Sequence, residues 1–193
     1  MAPPCNAPRL GRIIPEQLGE QIICAMTDRI SSYAISLSPV EIHVGRLEEM
    51  RASTLWHEIL GLCAWAQRGE GDPNYTHDLC LAMATACWRF AIQGDDREPR
   101  DVYEEADQAT ETGLLIVAGF AGEKIHCGYS TSPRELAALA GLTQHQVRLL
   151  VRDGEMKRDG EAAEIEIPAT EARRWLASRE VPGFAAAKKR RDW

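Results

Sequence analysis

Apolar side chains recur at helical spacing along most of this chain, with short polar or glycine-rich breaks between the stretches. The first runs from Pro15-Glu16-Gln17-Leu18 through Ile22, Ile23, Met26 and Ile30, the stripe of an amphipathic helix. Ser36 to Val44 leans towards a strand, with Ile42 and Val44 alternating around His43 and Pro39 marking an edge or a turn. Leu47, Met50, Leu55, Ile59, Leu62 and Cys63 predict a second helix over Arg46 to Gln67, and Gly69 to Asn74 breaks it. Leu79, Met83, Cys87, Trp88 and Phe90 predict a third over Thr76 to Gln93, and the acidic turn Asp95-Asp96 leads to a fourth from Arg100 onward. Together these predict one helical bundle. Gly113 to Gly128 follows as a glycine-rich joint, but Leu114-Leu115-Ile116-Val117 is too apolar for a free linker and is expected to pack or to pair as a strand.

Past residue 131 the elements become shorter and their ends are better marked. Ser132-Pro133 supplies a hydroxyl cap and a proline at the first helical position, where no backbone donor is lost. Leu136, Ala137, Leu139 and Ala140 form one apolar face, with Ala137 small enough for a helix crossing. Gly141 stands just after the last periodic residue, where a left-handed backbone is cheap only for glycine. Thr143 then caps a second helix, whose Val147 and Leu150 close a shared core with Leu142. Gln144, His145, Arg148 and Arg152 are left outward, a row of hydrogen-bonding groups on a helix slim enough for the major groove.

Leu136 to Glu155 resembles the excisionase-like and MerR-like winged helix-turn-helix family, and the likeness extends over residues 131–180, about a quarter of the chain. Asp153-Gly154-Glu155 stands where that family ends its recognition helix. Asp159-Gly160 matches its hairpin turn, Ile165 and Ile167 its strand, and Pro168 to Arg179 its closing helix, held down by Trp175 and Leu176. The resemblance implies a mainly α protein, an N-terminal helical bundle followed by a C-terminal winged helix-turn-helix with a small β-hairpin. It implies double-stranded DNA as partner and Thr143, Gln144, His145, Arg148 and Arg152 as reading positions, with Lys157 and Arg158 at the wing. Arg148 then suits guanine and Gln144 adenine, while Arg152, Lys157 and Arg158 hold phosphates. By analogy with regulators that meet two half-sites, a homodimer is expected, with residues 15–125 for dimerisation, sensing or a protein partner.

Charge sharpens this picture. The 193 residues carry a net charge of -7, which argues against a nonspecific nucleic-acid coat. The imbalance is segregated: Met1 to Ser130 holds 10 basic and 19 acidic residues, whereas Thr131 to Trp193 holds 12 and 10. Much of the C-terminal excess is Lys188-Lys189-Arg190-Arg191, a basic tail over 181–193 available to phosphates, after a Gly-Phe-Ala-Ala-Ala segment with little to bury. The wing region departs from the family pattern in carrying Asp159, Glu161, Glu164 and Glu166, some of which are expected to face away from DNA.

The remaining features narrow the class. Residues 1–14 hold three prolines and little periodicity and predict a flexible start. The longest apolar run, Leu114 to Ala121, falls well short of the roughly 20 residues of a membrane span, so a soluble, cytoplasmic protein is expected. Cys5, Cys24, Cys63, Cys80, Cys87 and Cys127 lack paired metal-ligand spacing, and no metal or cofactor is expected. His57-Glu58 has no second histidine at position 61, which is Gly61, so a zinc protease is excluded. Arg51 and His57 on one helix loosely resemble the Arg-to-His motif of HEPN ribonucleases, a minor alternative beside a helical protein-protein adaptor. Trp56, Trp65, Trp88, Phe90 and Tyr103 read as packing residues, no nucleotide-binding glycine loop is present, and no enzyme is expected.

Overall fold

The structure, a computed structural model, describes residues 10–24, 51–71, 110–159 and 164–184, with only the backbone given for residue 55. After a 3-10 turn at Leu10–Arg12 come α1 (15–24), α2 (Thr54–Arg68), α3 (Glu111–His126), α4 (Pro133–Ala140), α5 (Gln144–Arg152) and α6 (Ala169–Ser178). The described chain is thus mainly helical. The strand predicted over Ser36 to Val44, the helix over Thr76 to Gln93, the turn at Gly160 and residues 185–193 of the basic tail lie outside the described residues, as do Cys5, Cys80 and Cys87.

α2 starts later than its apolar stripe suggests. Ser53 is extended, at φ -72° and ψ 150°, and its hydroxyl accepts the Trp56 amide at 3.2 Å. A serine side chain competes with helix continuation by satisfying an orphan donor of the next helix, so the predicted helix over 46–67 is interrupted at Ser53. At the other end Gly69 turns left-handed (φ 69°) and its amide donates to the Trp65 carbonyl at 2.8 Å. Trp56, Ile59, Leu62, Cys63, Trp65 and Ala66 are buried between these ends. The Gln67 side-chain amide donates to the carbonyls of Leu10 and Ile13, fixing the N-terminal turn on α2.

The glycine-rich joint is the central helix. Leu114-Leu115-Ile116-Val117 does not pair as a strand but lies in α3, which Thr110 caps through a 3.0 Å bond from the Gly113 amide. Gly113 through Gly119, Ala121, Gly122 and Ile125 are all buried. Such a helix shows no apolar face because it has no wet face to contrast with, and its glycines and alanines let neighbours come close. α3 packs against α2, α4, α6 and the 3-10 turn. One buried cluster therefore runs from Leu10 and Ile13 through α2 and α3 to Leu136, Val147, Trp175, Leu176 and Phe184.

Candidate nucleic-acid interface

The pair α4–α5 is built from local signals at each end. Ser132 caps α4 with its hydroxyl on the Glu135 amide (3.3 Å), and Glu135 returns a carboxylate oxygen to the Ser132 amide (2.6 Å). The same carboxylate, 1% exposed, receives the Lys124 ammonium from α3 at 2.9 and 3.2 Å. Gly141 closes α4 at φ 65°, and the Leu142 amide reaches the Ala137 carbonyl at 3.0 Å. Thr143 and Gln146 form the reciprocal capping box of α5: the Thr143 amide donates to Gln146 Oε1 (2.8 Å) and the Gln146 amide to Thr143 Oγ1 (3.2 Å). Val147 is fully buried, and Leu142 and Leu150 pack half-buried against the same cluster.

Thr143, Gln144, His145, Arg148 and Arg152 are all exposed, as the spacing predicts. Their engagements differ. Thr143 spends its hydroxyl and amide on the cap, and Arg152 Nε donates to Asp153 Oδ1 at 2.9 Å. Arg148 makes no hydrogen bond or ion pair among the described residues, and it borders two clefts. The wider, about 820 Å³, lies between the start of α4, α5 and residues 164–166, with Gln144, Arg134, Glu164 and Glu166 on its walls. The narrower, about 440 Å³, is lined by Arg148, Val151, Arg152, Arg158 and Ile165.

The expected hairpin is reduced to isolated antiparallel bridges among the described residues. Thr131 and Ile167 exchange two backbone bonds of 2.8 Å each, and the Asp159 amide donates to the Glu166 carbonyl at 2.8 Å. Neighbouring residues 166 and 167 thus pair with different segments, and Pro168, which has no donor, stops a ladder from continuing. The alternation itself holds: Ile167 is buried, Ile165 half-buried, Glu164 and Glu166 exposed. Glu164 and Glu166 line the wider cleft with Arg148. Asp159 is exposed, and Glu161 lies outside the described residues.

Lys157 and Arg158 are exposed after a left-handed turn at Gly154 (φ 79°) that ends α5. The Lys157 amide is fixed by Glu171 Oε1 at 3.1 Å. Glu171 is gripped by Arg174 through two bonds of 2.9 and 2.7 Å. The Arg174 hydrogen bond, with the Lys157 amide and both cationic charges, overcomes partial burial and holds this carboxyl at about 2. Sequence reading missed this anchor; the i,i+3 spacing of Glu171 and Arg174 was its only signal. It missed Lys124–Glu135 too, although Ser132-x-x-Glu135 spells a capping box.

The segment before the basic tail does bury something. Phe184 is 7% exposed, with its ring 6.0 Å from Trp65 and 5.7 Å from His126 between centroids. Lys188, Lys189, Arg190 and Arg191 follow beyond the described residues. Arg51 does not share a helix with His57: it precedes the Ser53 cap, pairs with Glu20 and lies over the Trp56 ring at 5.7 Å, while His57 is exposed on α2. No helix among the described residues is long and apolar enough to cross a membrane. Comparison with family models, with curated proteins and with solved structures returned no match.

Proposed function

We propose that the chain is a sequence-specific DNA-binding protein of bacterial or phage type, a transcriptional regulator or a recombination accessory factor. In this reading residues 131–180 act as a winged helix-turn-helix of the excisionase-like or MerR-like kind, and α5 enters the major groove. The observation that carries it is Arg148: exposed, unpaired among the described residues, with Gln144 one turn before it and Arg152 and Arg158 beside it. A guanidinium there offers two parallel donors to guanine O6 and N7, and the Gln144 amide matches adenine. His145 stands at the start of the same helix, and Thr143 serves mainly by fixing that helix start. Arg152, Lys157, Arg158 and the tail cations Lys188, Lys189, Arg190 and Arg191 take phosphates. A homodimer on paired half-sites, acting in the cytoplasm, completes the reading.

The test is selection of duplexes from a random pool by the full chain at low salt, followed by titration of the enriched duplex against a shuffled one. The reading expects an enriched consensus bound about a thousandfold or more tighter than the shuffled sequence. Retention of no duplex, the behaviour of a helical protein adaptor, would overturn it. RNA cleavage that disappears in His57→Ala would point to the ribonuclease alternative.

A further inference from the structure

The two clefts that meet at Arg148 differ in charge: carboxylates and cations mix in one, and arginines alone carry charge in the other. In the wider one Lys124 pairs with Glu135 at 2.9 Å, and Glu164 and Glu166 share the walls with Arg134 and Arg148. The narrower one presents Arg148, Arg152 and Arg158 with no carboxylate among the residues that line it, although Arg152 pairs with Asp153 at 2.9 Å at the end of α5. Glu164 and Glu166 are exposed, and no described cation pairs with either.

We infer that Glu164 and Glu166 set the register of a duplex on this face, by keeping phosphate out of the wider cleft while the arginine-lined cleft accepts it. This rests on the DNA-binding reading and adds its specificity determinants. An ionised carboxylate only accepts hydrogen bonds, and so does a phosphate, so a backbone driven into the wider cleft is repelled by Glu164 and Glu166, whereas the narrower cleft sets no carboxylate against it. The amino groups of cytosine and adenine in the major groove are donors and satisfy the same oxygens. A duplex seated with its backbone along Arg152 and Arg158 therefore brings base edges to Glu164 and Glu166. One that is displaced brings phosphate, and is penalised.

The experiment compares the full chain with its Glu164→Gln/Glu166→Gln double variant on the selected and the shuffled duplex over a salt series, with phosphate-ethylation interference on the selected one. The amide keeps the shape and loses the charge. Affinity for the shuffled duplex is expected to rise about tenfold and its salt dependence to steepen, so that the ratio of selected to shuffled affinity falls about tenfold or more. Interference is expected to spread to phosphates that the parent chain leaves untouched. An unchanged ratio between the duplexes with an unchanged interference pattern would overturn this inference and leave DNA binding standing. A parent chain that selects no duplex would overturn both. Should the double variant lose its cooperative melting, the single variants Glu164→Gln and Glu166→Gln carry the same comparison.

Discussion

Gly69 and Gly183 meet backbone to backbone: a Cβ on Gly69 would stand 2.4 Å from the Gly183 amide nitrogen. Both are left-handed, at φ 69° and 81°, for different reasons. Gly69 ends α2, and Gly183 turns the chain so that Phe184 reaches Trp65 and His126. Val181 and Phe184 are thereby buried on helices from much earlier in the chain, and the end of the described structure is fastened to its first half.

Gly183→Ala is expected to lower stability by about 1–3 kcal/mol, through a left-handed alanine and a Cβ pressed against the Trp65 indole. That Cβ would lie 2.8 Å from Trp65 Nε1. Gly128→Ala is the control, since Gly128 has φ 86° and nothing within 4 Å of a Cβ. It should show the backbone strain alone and a smaller loss in denaturant unfolding. Equal losses would mean that the close approach to Trp65 contributes nothing.

Glu135 joins α4 to α3 as well as capping α4, so its removal should cost more than an ordinary cap. Glu135→Ala leaves the Ser132 amide and the Lys124 ammonium without the carboxylate that receives both, and should destabilise by about 1–3 kcal/mol. Glu135→Gln keeps an acceptor for Ser132 and should recover part of the loss. Chemical denaturation of the three chains measures this; if the glutamine variant is as weak as the alanine one, the Lys124 pair dominates the cap.

How much of this was readable in the chain depends on the range of the forces involved. Ser132, Pro133, Gly141 and Thr143 mark the ends of α4 and α5 through contacts within four residues, and the structure follows them. Trp175 and Leu176 were legible as core for the same reason, from periodicity on one helix. α3 was not, because burial on all sides erases the periodicity and leaves its glycines looking like a linker. Ser53 was hidden by an apolar stripe that runs straight across it. In the candidate site, exposure of Gln144, His145, Arg148 and Arg152 followed from the helix pattern. The meeting of Glu164 and Glu166 with Arg148 at one cleft, and the hold of Glu171 on Lys157, bring together separate segments that spacing does not relate.

Glu171 gives a pH signature. Its carboxyl is lowered from 4.5 to about 2, first by the Arg174 hydrogen bond, which outweighs the desolvation that raises it, and further by the Lys157 amide and the two cationic charges. A folded-state value below the unfolded one means that the contribution is fully present above pH 4.5 and is lost as pH falls from there through about 2. Glu171→Gln should therefore melt below the parent chain near neutral pH, with the two melting curves converging as pH approaches 2. A difference that persists unchanged across that window would separate the side chain's packing from its charge.

Cys63 tests the burial of α2. Desolvation, helped by the Glu16 and Glu111 carboxylates, pushes its thiol up to about 12. A buried thiol with that little thiolate should resist alkylation in the folded chain, while Cys24 and Cys127, both exposed, react first. Peptide mapping after brief iodoacetamide treatment at pH 8 reads the order. Early modification of Cys63 would contradict the packing of α2 on α3.

The binding proposal makes two side-chain classes behave differently. Arg148→Ala removes no described intramolecular partner, so the fold should be unaffected while affinity for the selected duplex falls by about 1–3 kcal/mol and preference relaxes at one base pair. Lys157→Ala/Arg158→Ala should weaken selected and shuffled duplexes alike and flatten the salt dependence. Arg158 should carry more of that flattening than Lys157, whose charge already lies near Glu171 and whose amide is tied to it. Footprints and salt-dependent titrations of the single variants decide. An unchanged affinity in Arg148→Ala would remove α5 as the reading helix, and a loss confined to one sequence in Arg158→Ala would reassign that arginine from phosphate to a base.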